Sequence, residues 1–429
     1  MDRVDIAVLG LGTVGQGVVK VIRKNDGYWR ERCGAVLNIK KVLVRDTRKK
    51  REVELPAGVI TGNWEEIISD PEIKIIVELM GGIEPARSYI LEAFKHGKNV
   101  VTANKDLLAE YGEELFEASK NAGVDLYFEG SVAGGIPIIT PLKQCLAANN
   151  INQVMGIVNG TTNYILTRMS EKGLDFATAL KEAQDLGYAE ADPAADIGGF
   201  DAARKIAILA SLAFHTRVKF QDVYVEGITS ITPRDLQHAR DLGYVIKLLG
   251  IAREENKKVE VRVHPVLIPV FHPLSNVHDS YNAVFVRGDA VGDAMFYGRG
   301  AGQMPTASSV VGDIIDVVNN LRQKSTGRFS CTCYEHKEIK PIGEITTKYY
   351  LRLHVLDRPG VLASIAGVFG NHGVSLASVI QKNGRNEGVA ELVVITHAVK
   401  ESDIQDALRI IREMSITREI DNLIRVEEN

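Results

Sequence analysis

Asp5 to Asn25, DIAVLGLGTVGQGVVKVIRKN, runs an apolar strand straight into Gly10-Leu11-Gly12-Thr13-Val14-Gly15 and from there into a helix. Glycines in that pattern let the backbone turn tightly, approach a pyrophosphate and pack the helix closely on the strand. The helix N-terminus adds N–H donors and positive potential for the phosphates. The pattern alone is common. With a strand before it and a helix after it, the turn reads as a dinucleotide site, and Gly10, Gly12, Thr13, Val14 and Gly15 are its expected cofactor contacts.

Outward from this turn the alternation continues. NIKKVLV, IKIIVELM, KNVVTAN and VDLYFEG read as further strands, with PARSYILEAFKHG and YGEELFEASKNAG as helices between them. Strands alternating with helices predict a Rossmann-type, doubly wound parallel sheet in an α/β domain. Right-handed crossovers place every strand's C-terminal end on one edge. At the end of the second strand stand Arg45, Asp46 and the basic run Arg48 to Arg51. An acid there binds the ribose 2′-hydroxyl of NAD, whereas an arginine accommodates the 2′-phosphate of NADP. Arg45 favours NADP, and Asp46 leaves NAD open. Lys105, directly after VVTAN, is a candidate electrophile on the same edge. EGSVAGGIP, Glu129 to Pro137, offers backbone carbonyls and a carboxylate to a cation, or forms only a hinge.

From Ile136 the pattern changes. Helices are expected near Asn163–Lys172, Phe176–Gly187, Asp201–Phe214 and Pro233–Leu249, mixed with the strands VEVRVHPVLIP and NAVFVRG. That mixture predicts an α+β catalytic and dimerisation domain on an open sheet. GRGAGQMPTASSVVGDIIDVVNNL resumes glycine turn and helix, and its helix should return to the first domain. Past a stretch without a clean period, the order β-α-β-β-α-β predicts a ferredoxin-like unit. The expected domains are therefore 1–136, completed by a helix over 303–322; 137–302; a linker, 323–346; and 347–429.

GYAEADPAADIGGFDAARK, Gly187 to Lys205, carries the chemistry. It gathers Glu190, Asp192, Asp196, Asp201 and Lys205 at the head of an apolar helix, IAILASLAF. Asp201 and Lys205, four residues apart, share a face that continues through Leu209 and Leu212 into protein. A lysine and an aspartate on a buried stripe are costly unless paired, and such pairs cluster at functional sites. A helix-surface ion pair is the plainer alternative. The apolar helix and the upstream carboxylates weigh against it.

Bulk properties narrow the field. The chain has 429 residues, 45% hydrophobic and 25% charged, with a formal net charge of −4. That charge offers no electrostatic case for nucleic acid or membrane partners. No apolar run approaches the roughly 20 residues that cross a bilayer, and no signal pattern opens the chain, so a cytoplasmic protein is expected. Of four cysteines only Cys331 and Cys333 lie close together. A lone C-x-C lacks the second ligand pair of a zinc site and reads as two thiols in the linker.

GLGTVG, VTANK, EGSVAGGIPII, GIVNGTTNYIL, the Gly187–Lys205 segment and GAGQMPTASSVVGDI, in this order, resemble the homoserine dehydrogenases over nearly the whole chain. LDRPGVLASIA resembles an ACT domain. The resemblance implies reversible reduction of L-aspartate 4-semialdehyde to L-homoserine, on the route to threonine and methionine, with no aspartate kinase fused upstream. It makes Lys205 the proton donor and Lys105 a second ammonium at the reacting oxygen. Glu190, Asp196 and Asp201 hold the substrate. Gly187 and Gly302 approach the cofactor or the closing site. Glu129, Val132, Gly134 and Ile136 match a structural sodium segment. The loop with Asp357, Gly360, Val361 and Leu362 is the candidate effector site, with threonine the implied effector and plain dimerisation the alternative. A homodimer or homotetramer is expected. Two rivals remain: another NAD(P)-linked amino-acid dehydrogenase, and a non-catalytic amino-acid sensor.

Overall fold

The computed structural model describes residues 3–24, 26–326, 331–383 and 388–428. They form two compact units, one of Met1–Val154, Arg204–Asp222 and Asn282–Lys337, the other of Met155–Ala203, Val223–Tyr281 and Glu338–Asn429.

The first unit holds strands β1 (Arg3–Leu9), β2 (Val36–Leu43), β3 (Ile60–Thr61), β4 (Ile73–Glu78), β5 (Asn99–Thr102) and β6 (Leu126–Tyr127). They pair in parallel in the order β3-β2-β1-β4-β5-β6. This is the doubly wound order, which reverses between β1 and β4 and places ligands outside the carboxyl ends there. β1 is buried along all but its first residue, as a strand covered on both faces must be. Val4, Ile6 and Val8 of β1 share a core with Val18, Val19 and Ile22 of the helix Thr13–Lys24 and with Val310, Ile314 and Val317 of the helix Gln303–Gln323. Gly17 permits that approach: a Cβ there would lie 2.9 Å from the Ala307 methyl.

Several elements of the first unit differ from the sequence reading. The helix expected over Tyr111–Gly123 runs Lys105–Ala122, because Asn104 Oδ1 accepts the Leu107 amide (3.1 Å) and caps it early. A short helix, Asp26–Cys33, follows the first one. Asn25, expected in the first helix, lies outside the described residues.

In the second unit, six strands run in the order Tyr244–Glu255, Lys258–Pro269, Thr417–Val426, Thr346–Leu356, Val389–Thr396, Leu376–Asn383. The helix expected over Pro233–Leu249 is a correction. It stops at Asp241, and Gly243, at φ +82, turns the chain into a strand that pairs antiparallel with Lys258–Pro269 along twelve residues. The apolar run YVIKLLGIA fits helix or strand by pattern alone, and the long partner strand decides it.

The last four strands of that order, with helices Val361–Asn371 and Glu401–Glu413, make a βαββαβ unit of strand order 4-1-3-2. Tyr349, Leu351, Leu353 and Val355 alternate onto the face that packs against Ile365, Phe369, Ile404 and Leu408. The stretch read as a linker carries a two-residue strand, Glu338–Ile339, and residues 327–330 of it lie outside the described residues. Among the described residues no helix is long and apolar enough to cross a membrane.

Candidate active site

The glycine turn divides its labour among three positions. Gly10 sits at φ +98, where a Cβ would lie 2.7 Å from the Leu79 carbonyl oxygen, so only glycine fits. A Cβ on Gly15 would collide with the Gly10 carbonyl. A Cβ on Gly12 would meet nothing within 4 Å, which leaves backbone open for a ligand to approach. Gln16 N donates to Gly12 O (3.0 Å) as the helix begins, with Thr13 exposed and Val14 half-buried. The turn thus fits a pyrophosphate on structural grounds. Gly10 N also donates to Leu43 O (2.9 Å), tying the turn to the end of β2. Two residues on, Arg45 is exposed, while the Asp46 carboxylate accepts the Arg48 amide (2.9 Å) of its own loop.

Along the same edge lies a network that the sequence reading missed. Glu78, fully buried at the end of β4, accepts from Thr102 Oγ1 (2.7 Å), Met80 N (2.7 Å) and Gly81 N (3.3 Å). Burial pushes its carboxyl above the ordinary glutamate range, against the pull of those bonds. Asn104 N donates to Thr102 Oγ1, and Asn104 Nδ2 to Gly82 O (2.7 Å). The ends of β4 and β5 and the head of the helix Lys105–Ala122 are therefore one hydrogen-bonded piece. The signal was an acid closing an apolar strand, IKIIVELM.

Lys105 is the first residue of that helix and is half-buried. Its neighbour Asp106 lies 2.9 Å from Arg204 Nε. Arg204 precedes Lys205, also half-buried, in the helix Phe200–Ala213. The ion pair thus ties together the two backbone segments that carry the candidate lysines.

In the second unit Asn159 joins two of the candidate carboxylates. Its Nδ2 donates to Asp196 Oδ1 (2.7 Å) and Asp201 Oδ2 (2.9 Å), while its Oδ1 accepts the Thr162 amide (2.9 Å) and caps the helix Gly160–Lys172. Asp201 is buried and Asp196 half-buried. Glu190 is exposed, and its carbonyl accepts from Gln184 Nε2 (3.2 Å). Asp192 is exposed and accepts the Ala194 amide (3.1 Å) just before the turn Ala194–Ile197. Asn159 was missed as a site residue, although an Asn before Gly-Thr-Thr is a helix-start signal.

Glu129 is buried, and its carboxylate accepts three backbone amides: Ile138 (2.6 Å), Ile139 (2.8 Å) and Thr140 (2.8 Å). Gly134 O accepts from Ser309 Oγ (2.7 Å), and Val132 and Ile136 are buried. The Glu129 amide donates to Asp313 Oδ2 (2.8 Å) and the Gly135 amide to Arg299 O (3.1 Å), so the segment is also held from outside. Among the described residues no group of three or more His, Cys, Asp or Glu side chains could hold a metal ion, so any cation here would rest on backbone oxygens.

Comparison with known proteins decides the family. The homoserine dehydrogenase model matches residues 137–315, and the model for the homoserine dehydrogenase NAD-binding domain matches 10–129. The homoserine dehydrogenase of Bacillus subtilis is 46% identical over 431 residues, covering 100% of this chain and 99% of that one. The chain belongs to the homoserine dehydrogenase family. The Synechocystis homoserine dehydrogenase is 49% identical, with 99% of each chain covered. The crystal structure of a homoserine dehydrogenase from Thiobacillus denitrificans superposes with a TM-score of 0.94 at 42% identity, covering 100% of this chain and 99% of that one. A hyperthermophilic archaeal homoserine dehydrogenase in complex with NADPH matches 73% of this chain and 97% of its own, with TM-score 0.62 and 28% identity.

An ACT domain model matches residues 349–415, so this homoserine dehydrogenase carries an ACT domain beside its catalytic and NAD(P)-binding parts. Asp357, Gly360, Val361 and Leu362 line one cavity of about 450 Å³, with Gln381 Nε2 3.3 Å from Asp357 Oδ1. Gly360, at φ +89, opens the helix Val361–Asn371. Gly187 (φ +76) follows the helix Phe176–Asp185, and Gly302 (φ +125) precedes the helix Gln303–Gln323.

Proposed function

We propose that this homoserine dehydrogenase interconverts L-aspartate 4-semialdehyde and L-homoserine with NADP preferred over NAD, Lys205 giving the proton and Lys105 supporting the charge. When bound, the nicotinamide supplies or takes the hydride. Reduction of the aldehyde leaves charge on oxygen, which calls for a proton and a nearby cation as it develops. Lys205 and Lys105 are those groups, and the Asp106–Arg204 contact beside them is the observation that carries the reading. Glu190, Asp196 and Asp201 receive the substrate ammonium by charge-assisted hydrogen bonds. The open backbone at Gly12 supports a dinucleotide and the exposed Arg45 supports NADP; Thr13, Val14, Gly187 and Gly302 are the further cofactor contacts of this reading.

A sodium ion would be held by the backbone oxygens of Glu129, Val132, Gly134 and Ile136. An all-oxygen set suits a hard cation, and a carbonyl keeps a second lone pair when one is engaged. We assign 1–136, completed by 303–322, to cofactor binding, 137–302 to substrate and dimerisation, 323–346 to a linker, and 347–429 to regulation by threonine through the Asp357–Leu362 loop. Val291, Met295 and Tyr297, exposed on and just before the strand Gly292–Arg299, support a homo-oligomer.

Initial rates with homoserine and either NADP or NAD, with and without threonine, test the whole reading. A higher kcat/KM with NADP, and inhibition by threonine that the D357A variant relieves, are expected. A chain that binds threonine and oxidises no homoserine is a sensor, and the catalytic assignment fails.

A further inference from the structure

Cys331 and Cys333 are not used by the dehydrogenase reaction, and they do not sit idle in the fold. Arg217 Nη2 lies 3.4 Å from Cys331 Sγ, and the Cys333 amide donates to the same sulfur at 3.4 Å. Cys333 Sγ lies 3.6 Å from the Ser211 carbonyl oxygen, in the helix Phe200–Ala213. Lys143 also bears on the pair. Its ammonium stands 5.5 Å from the ring centres of both Phe116 and Phe128 and acts on both sulfurs electrostatically. The thiols border a small apolar pocket lined by Leu108, Phe116, Phe128, Ile208 and Val218.

This surrounding treats the two sulfurs differently. The hydrogen bond from the Cys333 side chain, the Cys333 amide and the Arg217 charge all favour the Cys331 thiolate and outweigh its burial. Cys333 keeps its proton, held up by the negative sulfur beside it and by burial. Cys331, which faces the Arg217 guanidinium and the Cys333 amide, is thus the sulfur favoured as nucleophile, and Cys333 stands two residues away as a resolving partner. Metal binding is the poorer use, because two sulfurs fall short of a ligand set and among the described residues no third ligand joins them. The other two cysteines are built otherwise. Cys33 is buried and donates to the Trp29 carbonyl (3.2 Å), and Cys145 is exposed.

We propose that Cys331 and Cys333 are a modification site at which a hydroperoxide oxidises the pair to an intramolecular disulfide. The Cys331 thiolate attacks the terminal peroxide oxygen. An S–O bond forms, the O–O bond breaks, and the released alkoxide or hydroxide takes a proton from solvent. The Cys333 thiol, losing its proton to solvent, then attacks the sulfenic sulfur. The S–S bond forms, the S–O bond breaks, and hydroxide leaves as water. Sulfur is oxidised and the peroxide reduced; a dithiol reverses the change. The site is independent of the assignments made for Lys105 and Lys205.

The test uses the full-length enzyme. After brief iodoacetamide pulses at pH 6 to 8, peptide mass spectrometry compares Cys331 with Cys145 in one sample. Cys331 should label at least roughly tenfold faster than the exposed Cys145 at pH 6, with a nearly flat pH profile. One equivalent of hydrogen peroxide should then remove two hydrogens from the peptide holding Cys331 and Cys333, and dithiothreitol should restore them. In the C333S variant Cys331 should stop as a sulfenic acid that dimedone traps; in C331S neither product should form. Labelling of Cys331 no faster than Cys145 at pH 6 in the unmodified protein overturns the proposal, as does a peroxide-treated peptide of unchanged mass.

Discussion

Arg204 Nε lies 2.9 Å from Asp106 Oδ1, and each residue is the chain neighbour of a candidate active-site lysine. With Arg204 and Asp106 about a quarter and a third exposed, the pair contributes little to stability, about 0–1 kcal/mol. Its value lies in registering the two helices that carry Lys105 and Lys205. Arg204 also stacks over the Phe220 ring, 4.6 Å from its centre, which fixes the guanidinium from behind. R204A and D106N should leave the melting temperature nearly unchanged and lower kcat roughly tenfold, since small misplacement of reacting groups costs rate steeply. A thermal melt beside initial rates checks this; equal losses in both would mean the pair is merely structural.

Removal of Lys205 should cost far more. A positioned proton donor contributes roughly 10²- to 10⁴-fold, so K205A should lose at least that much in kcat while NADPH still binds. Fluorescence titration with NADPH, run beside turnover, separates the two effects. K105A should lose rate and weaken cofactor binding together, because Lys105 opens its helix at the nucleotide edge. Normal turnover in K205A removes that residue from the mechanism.

Asn159 serves three partners with one amide, holding Asp196 and Asp201 through Nδ2 and capping a helix through Oδ1. N159A removes the cap, at about 1 kcal/mol, and leaves two neighbouring carboxylates without their common donor. N159D retains the cap and adds a third negative charge. The KM for aspartate semialdehyde should rise in both variants, and both should lower the chemical-denaturation midpoint, N159D the more because it sets a buried carboxylate against two others. Unchanged KM in N159D would detach the carboxylate pair from substrate.

Much of this was readable in the chain because it depended on local order. The glycine turn, the strand–helix alternation and the βαββαβ tail are set by neighbours in sequence, and each appears in the order its pattern gave, with helix bounds shifted. What escaped depended on distant partners. YVIKLLGIA became a strand only through its pairing with Lys258–Pro269. Glu78 needed Thr102, from the adjacent strand, to become more than an acid ending an apolar run. Asn159 showed its capping role locally, but its hold on Asp196 and Asp201 crosses about forty residues of chain.

Arg45 is exposed beyond β2, while the Asp46 carboxylate is engaged by its own loop. R45A should therefore raise the KM for NADPH about tenfold and leave that for NADH nearly as it was, the size expected for losing one charge-assisted contact with the 2′-phosphate. Matched rate curves with both cofactors measure it. Equal shifts for the two would place Arg45 outside 2′-phosphate recognition.

Asp235 is a buried carboxylate of the second unit held by an arginine. It is fully buried and accepts from Arg352 Nε (2.7 Å), Thr232 Oγ1 (2.6 Å), Tyr350 Oη (3.1 Å) and Asn422 Nδ2 (3.1 Å), joining the helix Pro233–Asp241 to two strands of the ACT sheet. Burial works to raise its carboxyl, but the bonds from Arg352 and Thr232 and the arginine's charge outweigh that and hold it below the ordinary aspartate range. A carboxyl depressed in the folded state stabilises fully above its unfolded value, near 4, and that stability is lost as pH falls through the lower folded value. Denaturant midpoints should therefore fall steeply below about pH 4, and D235N should start lower at pH 7 yet decline less in acid. R352A, which strands a buried carboxylate, should cost roughly 3–5 kcal/mol at pH 7 and recover part of it as Asp235 takes up a proton. A D235N enzyme that declines in acid as steeply as the parent would assign the acid limit to other carboxylates.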